Sequence, residues 1–298
     1  SDVSNNHLFY ISNEITVREG TPMSMELLFS KIKQLPVIPK LLHELMQDFS
    51  NDNSKIHDIA QKIAMDQVIS AKVLKLANSA AYRRGAEITS IEQAVILLGF
   101  NALRSLVVAS GIMTSFKTPA NFNTAKFWVE TFQTATIAKA LAKESHAVDP
   151  ETAFTCTLLH NIGELLIQSA LPEEASLINL AINQGTSRID AQREMLGYDF
   201  SLVGAELARR WNLSERFVTA IAQQLDPLDH HPVSPEAVLI RLAMFVSFAW
   251  NAGVPANVIV SRFPSPLALH LGIQPESLAN RLEELHEQGN ALANILTN

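Results

Sequence analysis

The sequence predicts an all-α protein of two packed helical subdomains, and three observations carry that expectation. Apolar residues recur at three- and four-residue steps through most of the 298-residue chain. Helix starts are marked repeatedly, by capping side chains or by a proline followed by an acid. No alternating run of β-branched residues intervenes, which removes the pattern of a half-buried strand.

Residues 1–22 are polar, mixed in pattern and closed by Gly20-Thr21-Pro22, and read as a weakly ordered lead-in. The first subdomain is placed at 23–118. Met25, Leu27, Leu28 and Ile32 form a helical stripe that stops at Leu35-Pro36, because proline steers the preceding residue out of helical backbone. Pro39 opens the next stripe, Leu41, Leu42, Leu45, Met46 and Phe49. Ile56, Ile59 and Ile63 follow, then Val68, Ile69, Val73, Leu74 and Leu76. Ser54 is expected to cap the former helix and Asp66 the latter. Ser90 and Gln93 have the spacing of a capping box ahead of Ala94-Val95-Ile96-Leu97-Leu98, and Gly99 ends that segment.

Thr118-Pro119 breaks the pattern, so a second subdomain is placed at 119–255 and a C-terminal helical extension at 256–298. A long helix from Thr124 to about Ser145 carries Phe127, Trp128, Phe132, Ile137 and Leu141. Asp149-Pro150-Glu151 supplies cap, first-turn proline and early acid for the next helix. Leu171-Pro172-Glu173, Ser234-Pro235-Glu236 and Gln274-Pro275-Glu276 repeat the device.

Composition narrows the function. Hydrophobic residues make up 47% and charged residues 18%, the balance of a folded globular chain. With 23 basic against 30 acidic side chains the net charge is −7, which repels a phosphate backbone, so no nucleic-acid partner is expected. Arg83-Arg84 and Arg209-Arg210 read as solvated helix faces. The single cysteine, Cys156, has mostly apolar neighbours and reads as a packed thiol in a reducing, cytoplasmic setting. Ala237–Ala252 is the longest apolar run and is broken by Arg241 and Ser247, so no membrane partner is expected; the start of the chain has no secretory pattern. His230-His231-Pro232, with Asp226 and Asp229 nearby, reads as a solvated loop. No glycine-rich phosphate loop, Cys-x-x-Cys or Gly-x-Ser-x-Gly nucleophile motif is present.

Several unusual strings occur in a set order: Leu35-Pro36-Val37-Ile38-Pro39, Asp66, Leu76-Ala77-Asn78-Ser79-Ala80-Ala81-Tyr82, Ile88-Thr89-Ser90-Ile91, and Leu97-Leu98-Gly99. Together they resemble the HDOD (HD-related output domain) family across roughly residues 25–250. The residues alone leave Asn78 and Ser79 open between a helix-end cap and a ligand- or partner-facing role.

The resemblance also implies a multi-helical core related to the HD phosphohydrolases, whose metal ions are held by histidines and aspartates from several helices. Here it fails at the ligands. The paired His-Asp of those enzymes corresponds to His160-Asn161, and an amide lacks the anionic oxygen that balances a dication. Glu130 stands at the first histidine position, Gln223-Gln224 at a later histidine pair, and Met244 at the final aspartate. His160 is then expected to be a buried histidine bonded to Glu130 or to a backbone carbonyl, with Glu130 as the favoured partner. No catalytic residue, metal or cofactor is expected. What the resemblance implies is a non-catalytic bacterial signal-transduction module that binds signalling proteins or a nucleotide-like ligand. The alternative is a metal-dependent phosphohydrolase acting on nucleotides or cyclic nucleotides.

Overall fold

In a computed structural model of the chain, residues 24–47, 53–79, 82 and 85–297 are described. The expectations for the 1–22 lead-in, Phe49 and Arg83-Arg84 lie outside them. Every regular element among the described residues is helical: α1 (Met25–Lys31), α2 (Lys40–Gln47), α3 (Asn53–Met65), α4 (Gln67–Ala77), α5 (Ile91–Leu98) and α6 (Phe100–Ser115). Then come α7 (Thr124–Ser145), α8 (Pro150–Leu159), α9 (Ile162–Ala170), α10 (Pro172–Asn183), α11 (Arg188–Leu196), α12 (Phe200–Arg210) and α13 (Glu215–Gln223). A 3-10 turn, Pro227–Asp229, precedes α14 (Pro235–Asn251), α15 (Ala256–Ser261), α16 (Ser265–Leu271), α17 (Glu276–Ala279) and α18 (Leu282–Thr297).

Asp66, Ser90, Asp149 and Ser234 cap their helices as the sequence predicts. Asp66 Oδ1 accepts from the amides of Val68 and Ile69 at 3.0 Å each. Ser90 Oγ accepts from Gln93 N, while Gln93 Oε1 accepts from Thr89 N, so the reciprocal bond reaches one residue ahead of the cap. Asp149 caps α8 and Ser234 caps α14. Ser54 falls inside α3 instead of preceding it, and its side chain is outside the described residues. Gly99, at φ 81°, both ends α5 and starts α6, so the chain turns through 116° between two helices. Only glycine takes this backbone without strain.

Asn78 is a structural cross-link. Its Nδ2 donates to Leu74 O at 2.9 Å and Ile88 O at 2.7 Å, and its Oδ1 accepts from Ile88 N at 2.8 Å. The extended segment before α5 is thereby fastened to the end of α4. Ser79 Oγ is buried without a hydrogen-bond partner among the described residues. The Leu35-Pro36 turn also has a packing role, because Trp211 Nε1 at the end of α12 donates to Pro36 O at 2.8 Å.

The long helix α7 is the organising element and packs against α8, α14 and α18. One buried cluster runs from Leu28 through Val107, Phe132 and Leu166 to Leu296; a second gathers Ile137, Leu141, Leu239, Phe263 and Leu285. Leu292 and Leu285, on one helix, belong to different clusters, so α18 joins them. Cys156 is fully buried, and burial pushes its thiol pKa well up, the state of a packed, unreactive group. Arg209 and Arg210 pair with Glu206, and Arg210 also lies 4.4 Å from the Phe29 ring. No single helix among the described residues is long and apolar enough to cross a membrane.

Candidate functional site

The α8–α9 junction sits at the wall of a cavity of about 730 Å³, completed by the first half of α7, the Asn121–Asn123 turn before it, the end of α10, the start of α11 and the second half of α14. Four of the six positions singled out for their HD-like placement line it together: Glu130, His160, Asn161 and Met244. Gln223 and Gln224 do not. Gln224 is buried and donates to the carbonyls of His160 at 2.7 Å and Ile221 at 2.8 Å; Gln223 accepts from Ser234 N at 3.3 Å. Both side chains are turned to backbone, Gln224 to carbonyls at the ends of α8 and α13, where helical carbonyls lack partners within the helix, and Gln223 to the amide of Ser234 ahead of α14.

His160 closes α8, and its ring Nδ1 lies 2.5 Å from Thr157 O. A carbonyl can only accept, so Nδ1 carries the ring proton and Nε2 is left as an acceptor on a cavity-lining side chain. Burial pushes the His160 pKa down to about 4, against a smaller upward pull from the Thr157 carbonyl. The ring is neutral at pH 7.

The expected Glu130–His160 pair is not formed, and the backbone-carbonyl alternative holds. Glu130 lies 3.7 Å from Lys126 Nζ, one helical turn back on α7, and its side chain is 46% exposed. Among the described residues no hydrogen bond joins Glu130 to His160. The reason is local: a last-turn carbonyl needs a donor and the adjacent imidazole supplies one, while a half-exposed carboxylate has water and a lysine.

Asn161 donates through Nδ2 to Thr131 Oγ1 at 2.8 Å, while its Oδ1 is buried without a partner among the described residues. One turn on, Glu164 is the residue that the sequence reading missed. It is 4% exposed and accepts from Arg188, Gln192 and Gln168, binding α9 to α11. A lone carboxylate within Ile162-Gly163-Glu164-Leu165-Leu166-Ile167 was the available signal, since a buried acid demands partners. Gly163 beside it permits a close helix crossing, because a Cβ there would overlap the Phe200 carbonyl.

The charged lining is balanced, Lys126 with Glu130 and Arg188 with Glu164. The other polar groups are mainly amides, from Asn121, Asn123, Asn161, Asn179, Asn183 and Asn251. This donor set does not fit the metal that HD phosphohydrolases use. Met244 offers a thioether, Asn161 a neutral oxygen, and Glu130 is paired with Lys126; a hydrolytic site needs about three strong ligands. Among the described residues no three His, Cys, Asp or Glu side chains are grouped to hold a metal ion. His230 and His231 are exposed in the loop after the 3-10 turn, as expected.

Comparison with known proteins agrees with this architecture. The HDOD domain model matches residues 35–227. A crystal structure from Shewanella amazonensis SB2B, provisionally named a phosphohydrolase, is 35% identical with a TM-score of 0.77, covering 90% of this chain and 97% of its own. An HDOD domain protein of unknown function from Geobacter sulfurreducens has the same TM-score at 22% identity, covering 90% and 96%, and shares the fold. An uncharacterised Treponema pallidum protein is 28% identical over 218 residues, which span 71% of this chain and 41% of that longer protein. On the family match and the Shewanella likeness together, the chain belongs to the HDOD domain family.

Proposed function

We propose that this chain is a non-catalytic signal-transduction module of the bacterial cytoplasm, which reads a small polar ligand beside His160 and passes its state to a partner protein. The observation that carries the reading is the pairing of charge in the cavity. Both cations face carboxylates, the imidazole is held neutral, and what remains to contact a ligand is amide groups, those of Asn121 and Asn183 making no hydrogen bond among the described residues, with the Phe122 and Phe127 rings. Such a lining suits an uncharged heteroaromatic or sugar-like group, whose edges alternate donors and acceptors. A nucleotide-like ligand is therefore expected to be held through its nucleoside part, because its phosphates would have to draw Lys126 or Arg188 from their carboxylates.

The competing reading, a metal-dependent phosphohydrolase acting on nucleotides or cyclic nucleotides, draws on the provisional name of the Shewanella relative. It lacks ligands here. Calorimetric titration of the purified chain with nucleosides and nucleotides, alongside elemental analysis and phosphate-release assays with added manganese or magnesium, separates the two. Binding without turnover, with metal well below one ion per chain, is the expected result. One firmly held ion per chain, or metal-dependent hydrolysis that disappears in His160→Ala, would overturn the proposal.

A further inference from the structure

On the other side of α7 lies a second cavity, of about 540 Å³, between α4, α6, α8 and α18. Its charge is not balanced. Lys139, Lys143 and Arg281 line it against one carboxylate, Glu151, in a chain whose net charge is −7. Glu151 pairs with Lys139, which also lies 5.6 Å from the Phe154 ring centroid. Lys143 and Arg281 have no ion-pair partner among the described residues, and the nearby Glu144 accepts a 2.6 Å hydrogen bond from Ser277.

The polarity is directional. α7 and α18 run antiparallel, since Ser277, on α17 just ahead of α18, meets Glu144 near the end of α7, and Gln133, earlier on α7, donates to Asn290, later on α18, at 2.8 Å. Lys143 and Arg281 therefore share one end of the cavity. Away from them α18 contributes Leu285, Leu292 and Ile295, facing Leu76 and Leu106 across an aliphatic floor. From Arg281 to Ile295 the axial run is about 21 Å, at about 1.5 Å per residue. At the wall, burial and Glu151 push the Tyr82 pKa up, so its phenol stays a neutral hydroxyl.

We propose that this cavity binds an amphipathic anion, an aliphatic chain bearing a carboxylate head, with the head at Lys143 and Arg281 and the chain along Leu285, Leu292 and Ile295. Apolar surface drives the chain in, and the two unpaired cations select the sign of the head. Nothing in this assignment depends on the ligand of the His160 cavity.

The test is calorimetric titration of the full chain, stripped of lipid, with dodecanoate below its micellar concentration. Dodecyltrimethylammonium serves as the chain with opposite charge and acetate as the head without a chain. One dodecanoate per chain is expected, with neither control binding. The double variant Lys143→Ala, Arg281→Ala should weaken dodecanoate at least about tenfold, the order of two lost charge-assisted contacts, while its ligand-free melting stays unchanged. Ala291→Phe, which fills the cavity from α18, should weaken dodecanoate more than octanoate. Equal binding of the cationic amphiphile, undiminished affinity in the double variant, or association with phosphatidylglycerol vesicles that dodecanoate does not compete would overturn the assignment.

Discussion

Asn78 follows the last residue of α4 and Asn161 stands between α8 and α9, but the two amides are used differently. At Asn78 both ends of the side chain are bound to backbone, across ten residues of sequence, and no acceptor is left over. At Asn161, a residue that lines a cavity, the nitrogen is bound to Thr131 and the oxygen is buried with no partner among the described residues. A helix-end asparagine thus becomes structural when the chain returns to meet it. Where it does not return, one end of the amide is left unpaired. The same contrast extends to neighbouring side chains, since His160 also keeps one ring nitrogen uncommitted.

Acid tests the α8–α9 junction hardest. The His160 pKa lies near 4 in the folded chain and near 6.5 unfolded, so between those values the unfolded state binds more protons. Stability is therefore full above about pH 6.5 and falls as the pH is lowered toward 4, by on the order of 3 kcal/mol from this group. Buried His286, also shifted down by desolvation, adds in the same direction. Urea unfolding between pH 7 and pH 4 should show the slope, and His160→Gln should remove most of it. A slope unchanged by that substitution would mean that the junction histidine is solvated.

At the other region, Asn78→Ala should cost about 1–3 kcal/mol at every pH, because a partly buried Ile88 amide and two carbonyls lose their partner. Thermal unfolding with no ligand present measures it. A cost below about 0.5 kcal/mol would remove the structural half of the contrast.

The fold was largely legible because helix boundaries are local chemistry. Asp66, Ser90 with Gln93, and Asp149-Pro150-Glu151 all act where they stand, and the long helix begins at Thr124 and ends at Ser145 as read. The resumption of helix straight after Gly99 was not legible, since a glycine that stops one helix gives no sign that it also begins another. The site was half legible. A residue type at a family position directs attention to the right place, and Asn161 and Met244 do line one cavity with Glu130 and His160. It does not show which way a side chain turns, and Gln223 and Gln224 turned toward backbone. Glu164 went unread because its partners, Arg188 and Gln192, are more than twenty residues away.

Asn161→Ala should cost less than its counterpart, below about 1 kcal/mol, the net worth of one hydrogen bond. Thr131 Oγ1 keeps its own bond to Phe127 O at 2.7 Å, so no new orphan is created, and one existing orphan, Oδ1, is removed. Guanidinium unfolding of the two alanine variants side by side reads the difference directly. Equal costs would mean that Asn161 is as structural as Asn78.

The smallest effect concerns Glu130 and His160, which face one cavity without touching. Each is committed locally, Glu130 to Lys126 on its own helix and His160 to Thr157 on its own turn. Glu130→Gln should cost a few tenths of a kcal/mol, since it loses only an exposed pair one turn apart. His160→Ala should cost more, because it vacates buried space and leaves the Thr157 carbonyl with only its 3.2 Å bond from His160 N. With no shared hydrogen bond, the two losses should add, giving a coupling energy below about 0.5 kcal/mol in a double-mutant cycle at pH 7. A coupling above about 1 kcal/mol would bring the carboxylate across the cavity onto Nε2, which requires a second proton on the ring. That outcome would also flatten the acid slope, because a carboxylate bound to the imidazolium raises its pKa, so the cycle and the pH titration must agree on whether the junction nitrogen is free.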